Sequence, residues 1–247
     1  TIGEWCGHFP IRMIGNNESL SQARAANIGL NSAKGNYLIF LDDDDLFCPE
    51  HITNLVSALQ NHPSVRCAYA GVRVEHYSDG QLETVTEFNE PFDLHRLWGR
   101  NFIPIHAMLF EQSLVTIDRC SFDENLEVFE DWDFWIQLTQ HSEILHVDEI
   151  TAIYRNNGHS GLGFKQDENF LRESRGKVYD KWRMLLTGEQ LDRMIQCRED
   201  IISSLRTQLD DSNQLVFSLQ SRLQQNTLAN TQREQLLHKT MSDLNKT

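Results

Sequence analysis

The sequence predicts an α/β protein, with a mostly parallel sheet flanked by helices, followed by a C-terminal α-helical, coiled-coil extension. Three observations predict it. Through the first two thirds, short apolar runs alternate with stretches of helical period, the pattern of strands joined by right-handed crossovers. One run, Tyr37-Leu38-Ile39-Phe40-Leu41, ends directly on four aspartates, Asp42, Asp43, Asp44 and Asp45, as if a buried strand delivered them to the ligand-binding end of a sheet. After Gly188 the chain contains neither proline nor glycine, and apolar residues recur every seven positions.

In chain order, FPIRMI at 9–14 reads as a short strand ending at Gly15-Asn16-Asn17. Ser19 or Ser21 then caps a helix running to about Ala33, with Leu20, Ala23, Asn27 and Leu30 inward and Gly35 as its stop signal. The strand at 37–41 follows. A second helix opens at Pro49 and Glu50 and places Ile52, Leu55, Val56 and Leu59 on one face. Residues 65–72 form another strand, and the turn Ser78-Asp79-Gly80 predicts a hairpin of 72–77 with 82–88. FIPIHAMLF at 102–110 contains a strand limited by Pro104. Residues 129–138 form a helix packed through Phe129, Trp132, Trp135, Ile136 and Leu138. Two short strands follow at 144–147 and 150–154, and a glycine-rich break at 161–163 ends the domain. The expected organisation is therefore a domain at 1–163, a helical connector at 164–188 and a long helix at 189–247.

Composition narrows the function classes. The chain has 247 residues, 40% of them hydrophobic, enough for one sizeable domain and an appendage. A formal net charge of −14 argues against nucleic acid or an anionic membrane surface as a partner. The cysteines Cys6, Cys48, Cys67, Cys120 and Cys197 are scattered, without a CxxC pair, which favours free thiols over disulfides or a zinc site. No apolar stretch has the length of a membrane span and no signal peptide is visible. The expected location is cytoplasmic, with a partner holding the protein against a membrane as the variant. Thr1 enters in mid-pattern, and a preceding segment is expected to be missing.

Four adjacent carboxylates repel one another, and hard oxygen ligands of this kind suit Mg²⁺ or Mn²⁺. An isolated acidic run is more often a solvated turn with a helix cap; following a buried strand, the metal reading overtakes it. The second acidic constellation is Glu130-Asp131-Trp132-Asp133, after Phe122-Asp123-Glu124. One acid there would be a helix cap favoured by the dipole. Three acids interleaved with tryptophan point to a general base held ionised at a rigid helix start. His106 reads as a core or strand-end histidine in preference to a catalytic one.

Both clusters, in this order and separation, resemble the family 2 glycosyltransferases of the GT-A fold, over residues 9–160. The matching stretches are ARAANIGLNSAKGNYLIFLDDDD (23–45), IPIHAMLF (103–110), FDENLEVFEDWDFWIQL (122–138) and AIYRNNGHS (152–160). The resemblance implies inverting transfer of a sugar from a nucleotide diphosphate sugar to an acceptor hydroxyl of a glycan, lipid-linked or protein acceptor, in surface polysaccharide or glycan assembly. It implies Asp131 as catalytic base with Glu130 beside it, and Asn27, Asp42, Asp43 and Arg155 on the donor. It further implies Asp42, Asp44 and Asp45, with His159, around a Mn²⁺ or Mg²⁺ ion. The family's first strands and nucleotide-gripping acidic turn are not found in this sequence, and Ala26 stands where many relatives have arginine. No Gln-x-x-Arg-Trp motif follows the tryptophan-rich helix, which implies a non-processive enzyme. Two alternatives stand beside this one. A nucleotidyltransferase would carry a glycine-rich, basic loop near its start, and a non-catalytic scaffold presenting the coiled coil would have no use for intact acids at both clusters.

In the tail, Ile195, Ile202, Leu209, Val216, Leu223, Leu237 and Leu244 form a heptad stripe broken only by Asn230. Three residues on, Leu205 and Leu219 fit, whereas Arg198, Ser212, Asn226, Arg233 and Thr240 do not. The stripe predicts a continuous helix through which residues 190–247 form a homo-oligomer or dock a partner enzyme. A solitary amphipathic helix is the bland alternative.

Overall fold

The computed structural model describes residues 10–15, 19–156 and 167–244. The chain divides into two compact units, Thr1–Met194 and Ile195–Thr247.

Residues 10–15 are exposed and form no strand, because Ile11, Met13 and Ile14 find no apolar surface to cover them. Helix α1 (Gln22–Ser32) begins where Ser21 accepts the Arg24 N–H at 3.3 Å, and it buries Ala23 and Leu30. Strand β1 (Tyr37–Ile39) leads to the four aspartates, and β2 (Leu46–Phe47) follows them. Helix α2 (His51–Asn61) buries Leu55 and Leu59 as expected. Ile52, however, is 47% exposed, because His51 takes the inward position in the first turn and finds hydrogen-bond partners there.

Strand β3 (Cys67–Ser78) runs without a break into the hairpin with β4 (Gln81–Phe88), so one long strand serves both the core and the expected hairpin. Asp79 and Gly80, at φ 50° and 76°, make the left-handed two-residue turn. A short helix α3 (Leu94–Gly99) and a 3-10 turn (Ile105–Ala107) precede β5 (Met108–Glu111); the turn occupies the Pro104-limited part of the expected strand. After a single helical turn, α4 (Ser113–Thr116), comes α5 (Glu130–Thr139). The two strands expected at 144–154 are one strand, β6 (Ile144–Asn156), whose register against β3 shifts at Gly71. A Cβ on Gly71 would lie 2.6 Å from Asn89 Oδ1, so a side chain there would have to displace Asn89.

The strand order is β1-β5-β3-β6-β2, with β4 on β3. Among the described residues only β3 and β6 pair in parallel, so the sheet is mixed and not mostly parallel. The reason is topological. β1, β3 and β6 share one direction, but β5 inserts antiparallel between β1 and β3. The end of β1 therefore lies beside the beginning of β5, and the aspartates come next to residues 104–107. Residues 40–45 then carry the chain from one end of the strand order to the other, where Leu46 meets Ile153.

Side chains alternate along β3 and β5. Ala68, Ala70 and Leu109 pack with Leu55 and Leu59 of α2, while Cys67, Tyr69, Met108 and Phe110 join the larger core on the opposite face. That larger core is aromatic. Trp132, Phe134 and Trp135 of α5 are each no more than 1% exposed. The two indole N–H groups donate to Leu97 O (2.6 Å) and Ile103 O (3.0 Å), so neither buried indole is left unmatched. Cys48, Cys67, Cys120 and Cys197 are free thiols; Cys6 lies outside the described residues.

Helix α6 (Glu168–Trp182), in the segment expected as a connector, is part of the first unit and packs on α3 and α5. Val178 is fully buried, Tyr179 O–H donates to Gly99 O at 2.8 Å, and the Trp182 indole donates to Asp133 Oδ1 at 2.8 Å. The glycine-rich break at 161–163 lies outside the described residues. Helix α7 (Gly188–Leu244) is one continuous helix of 57 residues.

Candidate active site

The aspartates follow β1 as a tight turn in which the Asp45 N–H donates to Asp42 O at 3.2 Å. The turn sorts its own side chains: Asp43 is exposed, Asp42 and Asp44 are half-buried, and Asp45 is buried. Asp45 points inward because it has partners there. Its Oδ1 accepts the Arg155 backbone N–H at 3.1 Å, and its Oδ2 lies 3.0 Å from His106 Nδ1. That second contact is one of proximity, not of hydrogen-bond alignment, and His106 Nε2 is likewise buried with no aligned partner. The His106 ring stacks on Tyr154 at 6.0 Å between centroids and 20° between planes. Its backbone is pinned by His51, whose Nε2–H donates to His106 O at 3.1 Å while Nδ1 accepts from Thr151 Oγ1 at 2.7 Å. Burial pushes the His51 pKa down to about 4, so this histidine is a neutral strut.

Opposite the turn stands the start of α5. Phe129, the residue before the helix, adopts a left-handed φ of 66°, which swings the chain so that Glu130 and Asp131 face the aspartates. Glu130 is buried. Asp131 keeps partial access to solvent, yet its carboxyl sits deep and is held at both oxygens. Oδ1 accepts the Trp132 N–H at 2.7 Å, and Oδ2 accepts Asn101 Nδ2 at 2.8 Å. Asn101 is oriented in turn by the Ile103 N–H, 3.1 Å from its Oδ1.

These two acidic walls enclose one cleft of about 550 Å³, lined by Asp42, Asp43, Asp44, Asp45, Glu130 and Asp131, with Asn101, His106 and Tyr154 between them. A cavity of that size accommodates a small-molecule ligand. The walls are in electrostatic contact. Asp42 is held above the usual carboxylate range by burial first and then by repulsion from Asp45, partly relieved by His106. Glu130 is pushed up by burial and by Asp131, and Asp131 by burial offset by its two donors; Asp42 adds to the rise of both.

Of the expected site residues, then, Asp42, Asp43, Asp44, Asp45, Glu130 and Asp131 share one cleft. Asn27 and Arg155 are not on its lining. Asn27 donates to Phe122 O (2.9 Å) and Glu124 Oε1 (3.1 Å) and accepts the Phe122 N–H (2.9 Å), tying α1 to the segment that leads into α5. Arg155 touches the turn through its backbone, and its Nε is buried without a hydrogen-bond partner. His159 lies outside the described residues. Among the described residues, no three His, Cys, Asp or Glu side chains are grouped closely enough to hold an ion alone. A cation at Asp42 and Asp44 would complete its shell with oxygens of a ligand, which the open cleft permits.

Two residues of the cleft carry more than the sequence assigned them. His106 was signalled by its place as the one polar residue within an apolar run. Asn101, the donor to Asp131, has no such signal, being a lone amide between Arg100 and Phe102.

Residues 4–120 match the family model described as Glycosyl transferase family 2. An uncharacterised glycosyltransferase of Haemophilus influenzae is 28% identical over 134 residues, 53% of this chain and 45% of that protein. The teichoic acid poly(glycerol phosphate) polymerase of Staphylococcus epidermidis is 25% identical over 193 residues, 73% of this chain and 22% of that protein. The chain thus spans less than half the length of these relatives. Among solved structures, TarS residues 1–349 of S. aureus in complex with UDP-GlcNAc superposes with a TM-score of 0.53 at 14% identity, covering 69% of this chain and 50% of that one. The fold is the GT-A type, and residues 4–120 are similar to the family 2 glycosyltransferases.

Proposed function

We propose that this domain is a family 2 glycosyltransferase that transfers a single sugar, with inversion, from a nucleotide diphosphate sugar to an acceptor hydroxyl, in the assembly of a surface polysaccharide or related glycan. One observation carries the reading: the aspartate turn and the Glu130–Asp131 pair face each other across one cleft. In-line displacement needs an anion-binding device and a base on opposite sides of the reacting carbon, and the two walls supply those parts.

Asp131 is the base. Its carboxylate is held by Asn101 and the Trp132 N–H, which fix its direction and favour its ionised form against the burial that opposes it. Glu130, buried beside it and with fewer donors, is pushed up by burial and by Asp131, and is assigned to orienting the acceptor. Asp42 and Asp44 are assigned to a Mn²⁺ or Mg²⁺ ion, which when bound neutralises charge on the diphosphate leaving group. Asp43 is assigned to the donor, and Asp45 to holding the turn in place. The S. aureus TarS complex contains UDP-GlcNAc, which supports a nucleotide-sugar donor, and the S. epidermidis relative is named for a teichoic acid polymer, which supports a surface-polymer context.

The test is calorimetric binding of UDP-, GDP- and dTDP-sugars to the full-length protein with Mn²⁺, Mg²⁺ or EDTA, followed by donor turnover. Metal-dependent binding of one donor, with turnover lost in Asp131→Asn, is the expected result. Failure to bind any donor under any metal would overturn the reading.

A further inference from the structure

The unit Ile195–Thr247 offers a surface that the catalytic chemistry does not explain. No residue from 195 to 235 is buried. Ile202, Leu205, Leu209, Val216, Leu219 and Leu223 are between 40% and 68% exposed, and all are large and apolar. A helix in water draws most of its stability from packing. This one also carries Ser203, Ser204, Thr207, Ser212, Asn213, Asn226 and Thr227, all poor helix formers. What stabilises it has to come from a partner along the stripe.

The stripe specifies that partner. With Ile202 at heptad position a, the series Ile202, Leu205, Leu209 repeats as Val216, Leu219, Leu223, with Ser212 between. Both triplets open with a β-branched residue at a and place leucine at d, the combination that favours two parallel strands. Beyond them Asn226 and Asn230 occupy d and a. In a parallel, in-register pair each of these asparagines, and Ser212, meets its own counterpart; in an antiparallel pair centred on the triplets, Asn226 would face Ile195. The flanking contacts of the parallel pair are Ile201 with Arg206, Gln208 with Asn213, Leu215 with Gln220 and Arg222 with Thr227, and none sets like charges together. A strongly charged foreign helix would find no complement in this seam. Arg198 and Arg233, at d, would meet their own copies and so bound the seam at either end. Covering the six apolar a and d side chains of each helix removes on the order of 1,000 Å² from water, the lower range of a stable interface.

We propose that residues 202–230 form a parallel, in-register, two-stranded coiled coil with a second copy of this chain. The assembly presents two catalytic domains as one particle, so an acceptor bearing repeated hydroxyl sites is retained by one domain while the other releases product.

Sedimentation equilibrium of the full-length protein tests it, with a cysteine-trapping series in a Cys197→Ser background. A dimer mass is expected at micromolar concentration. Leu209→Asp with Leu219→Asp should return the mass to a monomer while donor binding by the catalytic domain stays unchanged within twofold. Leu219→Cys should trap a covalent dimer on mild oxidation. A monomer of the unaltered protein, a trimer or tetramer, or a dimer indifferent to the two aspartates would overturn the proposal. So would trapping that occurs only when Leu219→Cys chains are mixed with Ile202→Cys chains, the signature of an antiparallel pair.

Discussion

The two walls of the cleft use the same side chains under different constraints. At the turn, three of four carboxylates retain contact with water, while Asp45 alone is drawn inward. At the start of α5, Glu130 is buried and Asp131 is gripped at both oxygens. Loosely held, mutually repelling acids suit a ligand or cation that arrives and leaves; a fixed, desolvated acid suits proton transfer. Environment, more than residue type, divides the labour.

The most damaging way to break this asymmetry is Asp131→Asn. It keeps the shape and removes the base, so turnover should fall about 10²- to 10⁴-fold while metal-dependent donor binding persists, as paired kinetics and calorimetry would reveal. Asp44→Asn should do the reverse, weakening donor binding in Mn²⁺ roughly 10- to 100-fold and leaving weak EDTA-insensitive binding behind. A smaller effect, about tenfold, is expected on kcat for Asn101→Ala. Because Asn101 lowers the pKa of Asp131, its loss should also move the acid limb of the pH–rate profile to higher pH. That limb in the unaltered enzyme should already lie above the ordinary aspartate value of about 3.9, since burial raises Asp131.

The smallest effect concerns stability. An acid whose pKa is raised on folding binds its proton more tightly in the native state, so native stability falls as pH climbs from the unfolded value through the folded one. Glu130→Gln should therefore raise Tm by a few degrees at neutral pH, with the gain vanishing below about pH 4, in thermal melts across that range. A Tm gain of equal size at low pH would point to packing instead of charge.

Much of this site was legible in the sequence, for reasons that can be traced. Clustered acids at the end of an apolar run and at a helix start are local signals, and both clusters fell where local rules put them. The hairpin turn at Asp79-Gly80 and the aromatic face of α5 were equally local. What escaped was set at long range. The antiparallel insertion of β5 depends on pairing between distant segments, and nothing within Met108–Glu111 encodes direction. The same insertion seats His106 beside Asp45. Ile52 lost its inward place to His51 because Thr151 and the His106 carbonyl, far along the chain, offered partners. Asp133, grouped in the sequence with Glu130 and Asp131 at the helix start, is at 0% exposure and apart from them in role: Lys181, Trp182 and Gln137 all donate to it. Its burial follows from the docking of α6, which the composition of that segment did not announce.

The bonds that hold the cleft together span long stretches of chain. Asn27 and Phe122 are 95 residues apart, and Asp45 and Arg155 are 110. During synthesis the aspartate turn leaves the ribosome well before β5, α5 and β6 exist to orient it. Until then it is an unsupported anionic loop, able to capture stray divalent ions but with no acid–base partner opposite it. Folding of this domain should accordingly be slow for its size, with ligand affinity appearing only in its last phase.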